Sequence, residues 1–134
     1  MKVVLDSNII SAAFSTHGLC NAVFELCLDR CDIHVSDFIL NEVKSVFKEK
    51  YKIPDKEIQG ILDYAGEYCF VTPYPKLTGR VCRDENDDEM LALARENRVH
   101  YIITGDQDLL TLKEYETIPI VTPREFWEKL KEKP

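Results

Sequence analysis

The sequence lacks the features that mark membrane, secreted and disulfide-stabilised proteins. No apolar run approaches the roughly 20 residues of a membrane-spanning helix, and the first residues, MKVVLDSN, lack the long apolar core of a signal peptide. The five cysteines are odd in number and contain no C-x-x-C pair, which argues against a disulfide framework. We therefore expect a cytoplasmic protein with no membrane association.

Glycine and proline are also scarce, with five and six residues among 134, while hydrophobic residues make up 45% of the chain. This composition is typical of ordinary globular proteins and excludes a largely disordered chain. A chain of this length can bury a proper core but is short for two domains. We expect one domain over residues 1–134.

Nitrogen and sulfur ligands for a metal are few. The three histidines have no ligand spacing, and Cys20, Cys27 and Cys31 recur at helical spacing with apolar neighbours, which favours a buried helix face over a zinc site. Basic side chains are outnumbered too, because 17 Lys and Arg face 24 Asp and Glu for a net charge of −7. A broadly basic nucleic-acid surface is therefore excluded, although a local patch can act against the global sum.

Short apolar strands alternate with helices along the chain. Strands are predicted at residues 2–5, 33–35, 69–71, 100–104 and 118–121, and the segment QDLLTLKEY after the fourth strand reads as a short helix. Parallel strands need crossover connections, which are usually helical. The pattern predicts an α/β fold, a three-layer α/β/α sandwich with a mainly parallel five-stranded sheet, and Pro119 suggests that the last strand lies at its edge.

Two predicted strands end in carboxylates. The strand VVL runs into Asp6, and the strand of YIITGDQD runs into Asp106, with Asp108 two residues later. In parallel sheets, ligands bind beyond the carboxyl ends of the strands, where the strand order reverses. We expect Asp6 and Asp106 to project at the same rim of the sheet.

A third acidic group is DENDDE, residues 84–89, at the start of a predicted helix. The helix dipole stabilises an acid in the first turn by roughly 0.3–1 kcal/mol, which accounts for one or two of these five acids. Like charges 4 Å apart repel by about 4 kcal/mol at an effective dielectric of 20, so such crowding favours a bound cation. Glu42, beside the apolar stripe of an earlier helix, is a fourth candidate.

Oxygen ligands without nearby histidine or cysteine select hard cations, which means Mg²⁺ or Mn²⁺ in the cytoplasm. Such ions, held by carboxylates, are suited to phosphodiester hydrolysis because they activate water and neutralise charge on the phosphate. The carboxylates at the strand ends therefore suggest a metal-dependent hydrolase.

Taken together, these motifs resemble the PIN domain (PilT N-terminus) nucleases, and among them the VapC-like toxins of toxin–antitoxin pairs. The resemblance is carried by VVLDSNIISAAF, by LNEV around Glu42, by RDENDDEMLALA and by YIITGDQDLL. It implies four catalytic, metal-binding acids with a fifth, accessory metal ligand, and several supporting polar residues. The four acids are Asp6, Glu42, Asp88 and Asp106, the accessory ligand is Asp108, and the supporting residues are Asn8, Ser36, Thr104, Asp84 and Asp87.

The identity of the third acid stays open among Asp84, Asp87 and Asp88. Asp88 is preferred because the family has a small residue four positions later, here Ala92, but Glu85 stands where proline is commoner. The resemblance further implies Mg²⁺ or Mn²⁺ dependence, cleavage of single-stranded or structured RNA to leave a 5′-phosphate, frequent homodimers and inhibition by a small antitoxin protein.

Arg80 and Arg83 flank the acids within an irregular segment and are the candidate nucleic-acid-binding residues. One alternative is a PIN-like module that binds RNA or protein without cleaving it. Another is a phosphoryl-transfer enzyme or receiver domain. The haloacid dehalogenase-like pattern of phosphoryl-transfer enzymes requires a second Asp at position 8, where this chain has Asn8. A receiver domain requires an Asp at the end of its third strand, where this chain has Thr72-Pro73.

Overall fold

The computed structural model describes residues 1–131. Within that part of the chain, short strands and helices alternate, as the hydrophobic pattern predicts. In order they are β1 (Lys2–Leu5), α1 (Ser7–Ser15), α2 (Leu19–Arg30), β2 (Asp32–Val35), α3 (Asp37–Glu49), α4 (Asp55–Tyr68), β3 (Phe70–Val71), α5 (Glu85–Asn97), β4 (Tyr101–Ile103), α6 (Gln107–Leu110), β5 (Glu114–Tyr115), β6 (Ile118–Val121) and α7 (Pro123–Lys131).

The strands form one sheet in the order β3-β2-β1-β4-β6-β5. All neighbouring pairs are parallel except β5 and β6, which are antiparallel. The predicted three-layer α/β/α fold with a mainly parallel sheet is confirmed. The predicted number of strands was wrong by one, because the described sheet has six strands rather than five.

The additional strand, β5, lies where a helix was predicted. Helix α6 ends at Leu110, and β5 then pairs with β6 through a two-residue loop. The loop residues, Glu116 and Thr117, both have positive φ, at 47° and 69°. Because β5 covers the outer side of β6, the expectation that Pro119 marks an edge strand was also wrong.

The central strands are buried on both faces, as expected for parallel strands between two helical layers. Val3, Val4, Leu5, Ile102 and Ile103 are fully inaccessible to solvent. On one face α1 packs against α2 and α3, whereas α5 packs directly on β1 and β2. Among the described residues, no helix combines the length and the apolar character that crossing a membrane requires.

The chain changes direction across the sheet between β1 and β4. From β1 it proceeds outward through β2 to β3, and it then returns to the other side of β1 to lay down β4 and β6. The carboxyl ends of β1 and β4 therefore flank the point where the strand order reverses, which is where ligands bind in open α/β sheets.

Candidate metal centre

Asp6 follows β1 directly and begins α1. Its backbone N–H donates to the carbonyl of Ile103 in β4, at 3.1 Å, which continues the sheet by one residue. Its carboxylate accepts a hydrogen bond of 2.9 Å from the backbone N–H of Ile9 and so caps the helix. Only 6% of the residue is exposed. The strand end thus fixes Asp6 at the rim of the sheet.

Thr104 connects this acid to the second one. Its buried hydroxyl donates to the other carboxylate oxygen of Asp6 and accepts a 3.0 Å hydrogen bond from the backbone N–H of Asp106. Asp106 in turn caps α6 by accepting from the N–H of Asp108 at 2.9 Å. One hydroxyl therefore sets the positions of two acids that are a hundred residues apart in sequence.

Three carboxylates meet beside this pair. Oxygen atoms of Asp87, Asp106 and Asp108 all lie within 4.8 Å of one another, and all three residues are half-buried. Asp87 comes from the first turn of α5, and the other two come from the segment after β4. Segments from two parts of the chain thus converge on one point.

A cleft of about 170 Å³ extends from these residues to α1 and α3. Glu42 in α3 and Ser7 in α1 both line it, and the Ser7 hydroxyl hydrogen-bonds to the Glu42 carboxylate. We call this cavity the acid cleft. Its acidic lining consists of Asp6, Glu42, Asp84, Asp87 and Asp106.

Asp88 does not line the acid cleft. Its two carboxylate oxygens accept hydrogen bonds from the backbone N–H groups of Val81 and Cys82, at 3.1 and 2.8 Å. The side chain therefore holds the loop before α5 instead of facing Asp6. Of the three candidates for the third acid, Asp84 and Asp87 lie in the cleft and Asp88 lies outside it.

Some of the predicted supporting and basic residues line the acid cleft, and others lie outside it. Asn8 lines the acid cleft with Asp6, whereas Ser36 is buried and caps α3 by accepting from the N–H of Ile39 at 3.1 Å. Arg83 donates to both carboxylate oxygens of Asp108, at 2.9 and 3.0 Å. Arg80 does not line the acid cleft but lines a neighbouring cavity.

The acid cleft favours protonated carboxyl groups when no cation is bound. Burial raises the pKa of Asp6, and the Asp106 carboxylate adds to the effect. Burial likewise raises the pKa of Glu42, with contributions from the charges of Asp6 and Asp84. The pKa of Asp87 rises to about 7, chiefly through burial and then through the Asp106 carboxylate. In all three groups burial is the main cause of the raised pKa, and the neighbouring carboxylates add to it.

The donor set fits a hard divalent cation. The described lining of the acid cleft offers carboxylate, hydroxyl and amide oxygens and contains no histidine or cysteine. Such oxygen sets bind Mg²⁺ and Mn²⁺, and a cation would favour the ionised carboxylates against both burial and their mutual repulsion.

Sequence reasoning missed two residues of the site. Ser7 adjoins Asp6, but a serine in the first turn of a helix is common and gave no signal. Asn86 lines the acid cleft beside Asp87 and was overlooked within the acidic run DENDDE. The position of both next to acids already singled out was the only available clue.

Comparison with known proteins places the chain in a family. The PIN domain profile matches residues 2–108. The uncharacterized protein MJ1680 of Methanocaldococcus jannaschii is 31% identical over a 143-residue alignment that covers 96% of this chain and 91% of that protein. In fold, the chain is similar to the structure of VapBC2 from Rickettsia felis bound to a DNA fragment from its promoter, with a TM-score of 0.65, 18% identity, and coverage of 91% of this chain and 98% of that one. The family resemblance predicted from the sequence is confirmed, and this chain belongs to the PIN domain family.

Proposed function

We propose that this protein is a metal-dependent endoribonuclease that hydrolyses phosphodiester bonds of RNA in the cytoplasm, with residues 1–134 forming one nuclease domain. The observation that carries the proposal is the convergence of five carboxylates in one cleft at the point where the strand order reverses. Membership of the PIN domain family supports it, because proteins of this family are generally nucleases.

Asp6, Glu42, Asp87 and Asp106 would hold the Mg²⁺ or Mn²⁺, with Asp108 at the margin of the site. The bound ion supplies a water of lowered pKa and offsets charge on the phosphate. The chain's own contribution is positional, because helix capping, the Thr104 hydroxyl and the Ser7 hydroxyl fix the carboxylates beforehand. We favour Asp87 over Asp88 as the third acid because Asp87 lines the acid cleft, whereas Asp88 lies outside it and holds the loop before α5.

We further propose that the protein is the toxin of a toxin–antitoxin pair, inhibited by a small antitoxin and assembled as a homodimer. The similarity in fold to a VapBC complex supports an antitoxin partner. We expect a neighbouring gene that encodes a small DNA-binding protein. The product of that gene should co-purify with this chain.

The decisive experiment is cleavage of a pool of RNA strands in Mn²⁺. Wild type should cleave, and Asp6→Asn should lose at least a hundredfold in rate, because the amide retains the Ile9 cap but removes the charge. Asp63→Asn is the matched control, since Asp63 is an exposed acid on α4 whose partner is Gln59.

An unchanged rate in Asp6→Asn would exclude this mechanism. If Mn²⁺ stabilises the wild type but no RNA is cleaved, the protein is instead a PIN-like module that binds RNA or protein without cleaving it.

A further inference from the structure

A second and larger cavity adjoins the acid cleft. Its volume is about 610 Å³, within the roughly 300–1,000 Å³ typical of small-molecule sites. Its walls are formed by the loop before α5, the first two turns of α5 and one residue of α3. We call it the flanking cavity, and the lining residues that bear on its function are Phe38, Lys76, Arg80, Glu85, Asp88 and Glu89.

The two cavities share part of their lining. Phe38 and Asn86 line both of them. A polymer whose phosphodiester lies in the acid cleft would therefore place its neighbouring nucleotide at the flanking cavity. Phe38 is half-buried, so its ring is held by the fold and still accessible from the cavity.

The wall formed by the loop is anchored to α5 at two places. Asp88 accepts the backbone N–H groups of Val81 and Cys82, and the Tyr74 hydroxyl donates to Glu89. Lys76 lies 3.8 Å from the same glutamate. These contacts between the loop and α5 hold the wall of the cavity in place.

The charges of the flanking cavity differ from those of the acid cleft. Asp88 and Glu89 are engaged by the loop, and Glu85 leaves one exposed carboxylate at the rim. Arg80 makes no hydrogen bond or ion pair with any residue between 1 and 131 that the structure describes, so its guanidinium is available to a phosphate. A mixed interior suits an uncharged base, whereas the cation suits the backbone.

We propose that the flanking cavity holds the base of an unpaired nucleotide next to the phosphodiester in the acid cleft, with Phe38 stacking on that base and Arg80 contacting a phosphate of the strand. This inference rests on the proposed ribonuclease function and adds a base-binding subsite, formed by the flanking cavity beside the acid cleft. A base inside a duplex is stacked on both faces and would have to be flipped out of the stack before it could enter the cavity.

The test measures binding rather than cleavage. A fluorescent ten-nucleotide RNA and a sugar–phosphate strand of equal length without bases are titrated with protein in Ca²⁺, and a gel verifies that the RNA stays intact. Phe38→Leu keeps an apolar side chain but removes the aromatic face. It should weaken binding of the RNA about fivefold or more, since stacking on an aromatic ring is worth roughly 1–3 kcal/mol per base, and leave binding of the abasic strand unchanged.

Arg80→Ala should weaken both strands equally, because a phosphate contact does not depend on the base. Phe70→Ala and Arg124→Ala serve as controls, since both residues are exposed and neither lines the cavity. If Phe38→Leu does not fold, photo-crosslinking of 4-thiouridine RNA to the wild type decides. Crosslinks at Phe38 or within residues 76–80 support the proposal, and crosslinks confined to other segments overturn it.

The two proposals can fail separately. Base-dependent weakening by Phe38→Leu without any Mn²⁺-dependent cleavage would overturn the ribonuclease function and uphold the cavity. Cleavage by the wild type, combined with equal effects of Phe38→Leu on both strands, would overturn the cavity alone.

Discussion

Thr104 is the side chain on which the arrangement of the site depends most directly. It is fully buried, and its single hydroxyl donates to Asp6 while accepting from the backbone N–H of Asp106. Valine has nearly the same shape but cannot replace either hydrogen bond. Thr104→Val should lower the affinity for Mn²⁺ by about tenfold or more, as is usual when a group that orients a ligand is lost.

The same substitution should lower the free energy of unfolding by about 1–3 kcal/mol, because a buried carboxylate oxygen loses its donor. Isothermal titration with Mn²⁺ and urea unfolding measure the two effects. Thr16→Val is the control, since the Thr16 hydroxyl lies at an exposed helix end, where it donates to the Ala12 carbonyl and accepts a long hydrogen bond of 3.5 Å from the Gly18 N–H. Equal losses in both variants would contradict the assigned role of Thr104.

Asp87 should make the metal-free protein less stable as the pH rises. Its pKa in the folded protein is about 7, above the ordinary value of 3.8, so the folded state holds a proton that the unfolded chain has released between those values. The contribution of Asp87 to stability is therefore greatest below pH 3.8 and declines as the pH rises towards 7. In EDTA, the melting temperature of the wild type should fall more between pH 5 and pH 8 than that of Asp87→Asn.

His34 acts in the opposite direction, because burial lowers its pKa and stability is lost as the pH falls below about 6.5. It is present in both proteins, so the difference between wild type and Asp87→Asn isolates the carboxylate. Asp63→Asn should show the wild-type pH dependence. A dependence that is identical in all three proteins would contradict the unfavourable ionisation of Asp87.

For single residues, the sequence indicated the position of an acid that directly follows a strand. It did not indicate which acid at the start of α5 faces the acid cleft. Asp6 and Asp106 were predictable because the end of a parallel strand determines where the next side chain points. Asp87 and Asp88 are neighbours on α5, and successive helical residues differ in direction by about 100°. Only the loop amides at Val81 and Cys82 show which of the two faces the acid cleft.

Among the elements, the hairpin of β5 and β6 contains the clearest local strain. Glu116 and Thr117 both adopt positive φ, as a type I′ turn requires, but that turn favours Asn-Gly, and a β-branched residue is disfavoured there. Thr117→Gly should raise the free energy of unfolding by about 1 kcal/mol, measured by urea denaturation.

Thr16→Gly is the matched comparison, since Thr16 has an extended backbone with φ of −136°. Glycine there relieves no strain and should give no increase in stability. A gain of the same size at both positions would show that the effect does not come from the turn.

The same turn explains why β5 escaped prediction. Hairpins are recognised from Asn, Asp or Gly between two apolar runs, and Glu116-Thr117 carries none of these residues. The leucines at positions 109, 110 and 112 instead suggested that α6 continued to residue 115. Strands β1, β2 and β4 were predictable because their apolar runs are buried on both faces.

For the whole molecule, metal binding should appear as global stabilisation. A ligand that binds only the folded state at a hundred times its Kd adds about 2.7 kcal/mol, which should raise the melting temperature by several degrees. Mn²⁺ should produce this shift in the wild type and in Asp88→Asn, but not in Asp106→Asn. If Asp88→Asn loses this shift while the Val81 and Cys82 amides remain protected from hydrogen exchange, Asp88 is a metal ligand after all.

The fold class was predictable because it follows from the alternation of strands and helices over the whole chain. The strand order was not, because nothing local to a segment specifies which neighbour it will pair with. The flanking cavity was equally hidden, since it depends on how a loop of irregular sequence settles against α5. Contacts between distant segments decide both features.

The reversal of strand order between β1 and β4 also governs when the acid cleft can form during synthesis. The acids of the cleft include Asp6, Glu42, Asp87 and Asp106. A nascent chain from which β4 has not yet emerged therefore lacks the last of these carboxylates. During synthesis, the nuclease proposed above would thus stay inactive until Asp106 has left the ribosome, which gives the proposed antitoxin time to bind.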